Sequence, residues 1–260
     1  MLDICVVSYN TVDKLKRFLE TVNLSDPSLW NLYVADNGST DGSQKLIEDN
    51  MDTYNITKAF YNENIGFASA CNQLAALGDS EIVGLFNADV WMVPGHVNNL
   101  LETLAENPNI AILGPKQMDE RHEIVHAGIF GPMTAPTHRG WRESDPTDSM
   151  YKDLVQCLTV SGSAYLVRRS VWDSLTSCPI YQEQFECDGA FLPTKHYYDE
   201  TWCSYHAIAH GYEVWYDGRM PSFGHSWHAS STVGGFADAL FTVSQKMFRE
   251  ACDNHGIPHD

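Results

Sequence analysis

A chain of 260 residues with 43% hydrophobic and 12% aromatic content can close one large α/β core or two tightly fused halves, and a disordered polypeptide is excluded. Its 34 acidic against 16 basic residues give a formal charge of -18 spread along the chain, which argues against a nucleic-acid partner, since phosphate backbones require clustered Lys and Arg. Seven cysteines form an odd set with no Cys-x-x-Cys pair, so neither a disulfide framework nor a zinc ribbon is expected and a reducing compartment fits.

The N-terminus, Met1-Leu2-Asp3-Ile4-Cys5, has no basic region ahead of its apolar run, and no apolar stretch approaches the ~18 residues of a membrane span. The expectation is a cytoplasmic protein without a transmembrane segment. The first third alternates β-rich runs with amphipathic helical ones, the pattern of βαβ units around a mostly parallel sheet. Strands are predicted over 3–8, 31–36, 57–61 and 81–86. Val12, Leu15, Leu19 and Val22 recur at helical spacing, as do Phe67, Cys71, Leu74 and Leu77, and each stripe is expected to face the core. A helix over 95–106 and a strand over 110–113 complete a first half, residues 1–115.

The second half, 116–260, has a different texture. A hairpin predicted over 123–130 runs into 131–150, rich in Gly, Pro, Thr and Asp, and a long irregular segment in a compact domain is usually functional or mobile. A strand over 160–167, a short helix over 169–175, an irregular stretch over 178–195 and a helix over 199–210, stopped by Gly211, follow. The last helix is predicted to present Phe236, Leu240, Val243 and Met247 on one face.

In an open parallel sheet, ligands bind beyond the carboxyl ends of the strands. Those ends are unusually polar here: Ser8-Tyr9-Asn10, Asp36 to Gly42, Asn62 to Gly66, and Asn87-Ala88-Asp89. Carboxylates there can accept hydrogen bonds from a ribose or base, and glycines allow close backbone approach. Each segment alone reads equally well as a turn or helix cap.

Taken together, Val6-Val7-Ser8-Tyr9-Asn10, Val34 to Gly42, Asn64-Ile65-Gly66-Phe67-Ala68 with Asn72, and Leu85-Phe86-Asn87-Ala88-Asp89 resemble, in order and spacing, the inverting family-2 glycosyltransferases of the GT-A fold. His126-Ala127-Gly128, Ser161-Gly162-Ser163-Ala164, Val167-Arg168-Arg169, Asp199-Glu200 and Gly211-Tyr212 extend the resemblance to roughly residues 3 to 232. It implies a Rossmann-like, mostly parallel sheet flanked by helices and fused to an acceptor-side half. It further implies a nucleotide-sugar donor, uridine first and thymidine second, and a glycan, lipid-linked or protein acceptor.

Carried over by residue, the resemblance places Ser8, Tyr9 and Asn10 beside the nucleoside and Asp36 on its base or ribose. Asn37, Asn64, Gly66, Asn72, Asn87, Ala88 and Gly162 would also bind donor. Asp89 would ligate a divalent cation bridging the donor phosphates, with hard oxygen ligands suiting Mn²⁺ or Mg²⁺. His225 would complete the metal shell, with His228 as the alternative. Inverting transfer also needs a carboxylate base, implied at Glu200 or its neighbour Asp199. The competing reading of those acids is a solvated helix N-terminus.

This sequence departs from the family pattern in four places. The triplet begins with Asn87 instead of Asp, the acid pair reads Asp-Glu instead of Glu-Asp, Trp202 replaces a second acid, and 178–195 is longer than the usual link. A nucleotidyltransferase would carry a Gly-rich basic loop after the first strand, which Ser8 to Val12 does not supply. A non-catalytic sugar- or nucleotide-binding module of the same fold remains the alternative. His122, His126, His138, His196, His206 and His210 carry no assignment, beyond 138–142 as a candidate lid.

Overall fold

The computed structural model describes residues 1–145, 147–226 and 236–259, with 236–239 as backbone only. Four parallel strands open the chain, β1 (Leu2–Ser8), β2 (Trp30–Asp36), β3 (Ile56–Phe60) and β4 (Ile82–Asn87). They are linked by α1 (Val12–Val22), α2 (Ser43–Tyr54) and α3 (Phe67–Ala75). Next come β5 (Val90–Trp91), α4 (His96–Glu106), β6 (Ile110–Pro115), β7 (Gln117–Met118), β8 (Ile124–His126), β9 (Ile129–Phe130) and β10 (Thr137–His138). The remainder contributes β11 (Leu154–Gln156), β12 (Ala164–Arg168), α5 (Arg169–Thr176), α6 (Pro179–Phe185), α7 (Asp199–Ala209), β13 (Glu213–Asp217), β14 (Phe223–His225) and α8 (Phe236–His255).

The main sheet runs β11-β13-β6-β12-β4-β1-β2-β3, so strands from both sides of Pro115 share one sheet. Its one central reversal is β12, antiparallel to both β4 and β6. Every residue of β1 is buried because helices cover both faces, which is why it reads as a continuous apolar run broken only by Asp3 and Ser8. Cys5 and Val7 join a core with α3, α5 and α7, while Leu2, Ile4 and Val6 join the opposite core with α1, α2 and α4. Asp3, fully buried, accepts from Arg169 at 2.8 Å and from the Ser80 amide at 2.9 Å, locking α5 to the strand end opposite the cavity described below. A third core packs α6, α7 and α8 around Tyr181, Trp202, Tyr205 and Phe248. Among the described residues, no helix is long and apolar enough to cross a membrane.

Several local expectations are corrected. The α3 helix ends at Ala75, so Leu77 lies outside it and is exposed. No hairpin forms over 123–130: β8 pairs with β7 and β9 with β10, because Gly128, at φ +89, turns the chain between them and Ile129 bonds to Leu158 and Thr159. Strand pairing begins at Ala164, not at 160, since Ser161 to Ala164 forms a turn closed by the Ala164 amide on the Ser161 carbonyl. Pro179 starts a helix inside the segment expected to be irregular. On α8 the buried face carries Ser244, Phe248, Ala251 and Cys252, one residue out of phase with the predicted stripe, and Val243 is exposed.

Candidate active site

A cavity of about 520 Å³ opens beyond the carboxyl ends of β1 and β4. Tyr9, Asn10, Asn37, Asn64, Asn87, Ala88 and Asp89 line it from the strand-end loops, Gly162 from the turn before β12, Asp199 and Glu200 from the start of α7, and His225 from β14 beside Asp89. Ser8, Asp36, Gly66 and Asn72 do not line it.

The first two loops hold each other. The Asn10 amide donates to Ser39 Oγ at 2.8 Å, the Thr40 amide to Asn10 Oδ1 at 2.8 Å, and the Val12 amide to Asp41 Oδ2 at 2.8 Å. Asp41 thereby satisfies one free donor at the start of α1 while its other oxygen caps Ser43 at α2. Asp36 is fully buried: Oδ1 accepts from the Ser39 amide and Gln44 Nε2, and Oδ2 has no partner. Ser8 is buried with its hydroxyl on Thr11.

Asn37 shapes the third loop, donating to Asn64 Oδ1 at 3.0 Å and accepting the Ile65 amide at 2.9 Å. Gly66 sits at φ +94, and a Cβ there would fall 3.1 Å from Lys195 Cα and 3.2 Å from the Thr194 carbonyl. Its bareness lets the chain at 194 and 195 close against the start of α3, and Lys195, His196 and Tyr197 enter the cavity lining. Asn72 is committed elsewhere: its side chain donates to the Phe191 carbonyl at 3.0 Å and accepts the Phe191 amide at 3.1 Å.

Asp89 and His225 come together because β14 folds back antiparallel on β5, pairing His225 with Val90. His225 Nε2 lies 3.3 Å from Asp89 Oδ1, and the Ser226 amide donates to the Asp89 carbonyl at 3.0 Å. Asp89 Oδ1 and His225 Nδ1 are buried without hydrogen-bond partners. A carboxylate oxygen without a hydrogen-bond partner, with an imidazole nitrogen 3.3 Å away, fits a divalent cation shared between them. His228 lies outside the described residues.

The acid pair opens α7. Tyr197 and Tyr198 precede it at φ +66 and +67, a costly conformation for aromatic residues. Asp199 is buried, and its carboxyl is held well above the usual carboxylate range, first by burial, then by the Glu200 charge and by a hydrogen bond to Glu200. Glu200, half-buried, is also raised by burial, but hydrogen bonds from Asp199, from the backbone at 200 and 201 and from the Thr201 side chain act the other way. Burial and the closeness of two acids thus raise both carboxyls, Asp199 the more strongly.

Behind Glu200 stands the turn bearing Gly162, where a Cβ would lie 3.4 Å from Glu200 Cβ. His126 supports that turn, its Nε2 accepting the Ser161 and Gly128 amides, each at 3.3 Å. Burial pushes the imidazole down to about 3, so it is neutral and keeps the acceptor lone pair that both bonds need. The 138–142 segment, a candidate lid, does not line the cavity. Arg139 instead makes two bonds to Asp153, at 2.8 and 2.9 Å, and lies over the rings of Phe130 and Tyr216.

Sequence reasoning gave no binding role to Val7, Thr11, Phe67, Ser161, Ser163, Lys195, His196, Tyr197 and Leu240 in the lining. Val7, Thr11, Phe67, Ser161 and Ser163 carried a local signal, each adjoining a segment already singled out. The other four arrive from chain segments whose approach to β1 and β4 is set by tertiary packing.

Residues 3–174 match the family model described as Glycosyl transferase family 2. The N-acetylglucosaminyl-diphospho-decaprenol L-rhamnosyltransferase of Mycobacterium tuberculosis is 26% identical over 194 residues, covering 66% of this chain and 62% of that protein. The abequosyltransferase RfbV of Salmonella typhimurium is 21% identical over 191 residues, covering 67% and 55%. This chain thus spans about three fifths of the length of these relatives. Among solved structures, GalNAc-T7 with UDP, GalNAc and Mn²⁺ superposes with a TM-score of 0.67 at 11% identity, covering 100% of this chain and 55% of that one. S. aureus TarS 1-349 with UDP-GlcNAc gives 0.62 at 12% identity, covering 95% and 65%. The sheet order, the polar strand ends and the matched span lead to one conclusion: the chain belongs to glycosyl transferase family 2 and has the GT-A fold.

Proposed function

We propose that this chain is an inverting glycosyltransferase that moves a sugar from a nucleoside-diphosphate donor to an acceptor hydroxyl. The observation that carries the reading is the meeting, in one cavity, of the Asp89–His225 pair and the Asp199–Glu200 pair. The first pair suits the anionic end of a donor; the second supplies a carboxylate free to take a proton.

Glu200 is the base. It removes the acceptor's hydroxyl proton as that oxygen bonds to the anomeric carbon, and the bond from that carbon to the donor phosphate breaks, its electron pair leaving with the nucleoside diphosphate. Attack opposite the leaving group inverts the anomeric configuration. Asp199 keeps its own proton and donates to Glu200, orienting the carboxylate. Asp89 and His225 would hold Mn²⁺ or Mg²⁺ with the donor's phosphates completing the shell, and that cation would stabilise charge on the departing diphosphate. Asn87, uncharged, is a polar neighbour. Lys195 adds positive charge to the same lining.

UDP-sugars are the favoured donors, since GalNAc-T7 and TarS were solved with UDP and UDP-GlcNAc. Deoxythymidine diphosphate sugars come second. The relative named an N-acetylglucosaminyl-diphospho-decaprenol L-rhamnosyltransferase supports a glycan or lipid-linked acceptor. The test is a panel of nucleotide-sugars incubated with Mn²⁺, candidate acceptors and the full chain, with product stereochemistry read by proton NMR. An inverted anomeric centre is expected; a retained one contradicts the mechanism. Nucleotide binding without turnover across the panel would favour a non-catalytic module.

A further inference from the structure

Far along α7 from the acid pair, three segments meet in a cluster of sulfur and imidazole. Cys178 caps α6, His206 and His210 stand four residues apart at the end of α7, and His255 is the last residue of α8. One ligand atom each from Cys178, His206 and His210 lies within 4.8 Å of the others. His206 Nε2 is 3.1 Å from His210 Nε2, and Cys178 Sγ is 3.7 Å from His255 Nε2. His255 Nδ1 is bonded to the Ala251 carbonyl at 2.8 Å, which leaves Nε2 turned to the sulfur. That backbone bond is the usual way a metal-ligating imidazole is oriented.

The facing atoms are paired with each other in the absence of an ion, His206 with His210 and Cys178 with His255. His206 is almost fully buried, its Nδ1 has no partner, and its ring is enclosed by Trp202, Tyr181, His210 and His255. The spacing has a direct explanation. Around a tetrahedral Zn²⁺ with Zn–N near 2.0–2.1 Å and Zn–S near 2.3 Å, ligand nitrogens stand about 3.3 Å apart and a sulfur and a nitrogen about 3.6 Å apart. Imidazoles at i and i+4 on one helix face are a common half of such a site. A thiolate with imidazoles selects Zn²⁺ over the hard cations suited to the cavity. His210 is exposed and His255 half-buried, so the ion has a route in.

We propose that Cys178, His206 and His210 form a structural Zn²⁺ site, which draws in His255 beside Cys178 as its fourth ligand and fastens α8 and the start of α6 to α7. Binding converts the Cys178 thiol to thiolate and releases its proton to solvent. The clip closes one end of the α6–α7–α8 core, while the other end of α7 carries Asp199 and Glu200 and α8 contributes Leu240 to the cavity. The site thus acts on transfer only by holding α7 in place.

The test uses the full chain without nucleotide. Elemental analysis after expression in zinc-supplemented medium is expected to give one zinc per chain. Co²⁺ exchanged into the protein is expected to show thiolate-to-cobalt charge-transfer absorption in the near ultraviolet, absent from Cys178→Ser. His210→Ala, at an exposed position that leaves folding intact, is expected to weaken Zn²⁺ binding roughly tenfold or more. Should Cys178→Ser fail to fold, His210→Ala decides. The proposal is overturned by wild-type protein lacking the thiolate band, or by unchanged zinc affinity in His210→Ala, since the ion would then sit elsewhere, for instance at Asp89 and His225.

Discussion

His225 Nε2 reaches to 3.3 Å from Asp89 Oδ1 because the short β5–β14 ladder folds the end of the second half onto the loop after β4. Neither residue reaches that point through local sequence. Asp89 Oδ1 at that point is buried without a hydrogen-bond partner.

Removing either side of this pair should weaken cation binding more than nucleoside recognition. His225→Ala and Asp89→Ala are each expected to lower Mn²⁺ affinity, measured by electron paramagnetic resonance with nucleoside diphosphate present. The loss should be at least the roughly 10- to 100-fold seen when an outer partner of a metal ligand is lost. Affinity equal to wild type in Asp89→Ala would remove the metal from this position.

Gly66 is predicted to be intolerant of any side chain. At φ +94, with the backbone at 194 and 195 little more than 3 Å from a Cβ, Gly66→Ala should cost about 1–3 kcal/mol and displace Lys195 to Tyr197. Chemical denaturation reads the first effect and a raised donor KM the second. Wild-type values of both would show that the close approach carries no constraint.

Asn72 separates a packing role from a binding role. Its paired bonds to Phe191 hold the 187–191 segment, so Asn72→Ala should destabilise the fold by about 1–3 kcal/mol, with nucleoside diphosphate affinity nearly unchanged. A large loss of nucleotide affinity at unchanged stability would instead place Asn72 on the donor.

The pH behaviour follows from the acid pair. A carboxyl raised in the folded state, as Asp199 is, adds stability below its unfolded value and loses that contribution as pH rises through its folded value. Asp199→Asn, neutral at every pH, should therefore be more stable than wild type toward alkaline pH, with the advantage shrinking as pH falls from the raised folded value of Asp199 and gone below the ordinary carboxylate range. Thermal unfolding across pH checks this. Because Glu200 is also raised, the acid limb of kcat/KM should fall above the ordinary glutamate value of about 4.3. A stability difference independent of pH would contradict the assignment of the proton to Asp199.

Much of the fold was legible because the parallel strands announce themselves. Strands buried on both faces leave apolar runs, such as Ile4 to Val7, and their polar ends mark the cavity side. The α8 stripe misled because Val243 faces outward while small residues, Ser244 and Ala251, fill the interface with α7. The hairpin failed for a related reason, since Gly128 reads as part of a turn but not as the point where two strands take different partners. Ser8 and Asp36, expected on the nucleoside, hold the loops beneath the lining. The histidines left unassigned divide clearly: His126 buttresses the Gly162 turn, and His206 and His210 meet Cys178 only because α6 and α7 pack together.

The central claim is that Glu200 is the base in a site that binds a nucleotide-sugar. It is tested most directly by measuring steady-state transfer and nucleoside diphosphate binding in parallel for wild type and Glu200→Gln, with Mn²⁺ present. Loss of about 10²- to 10⁴-fold in kcat, with nucleotide affinity held within about twofold, is the predicted result. Transfer at the wild-type rate in Glu200→Gln would contradict it.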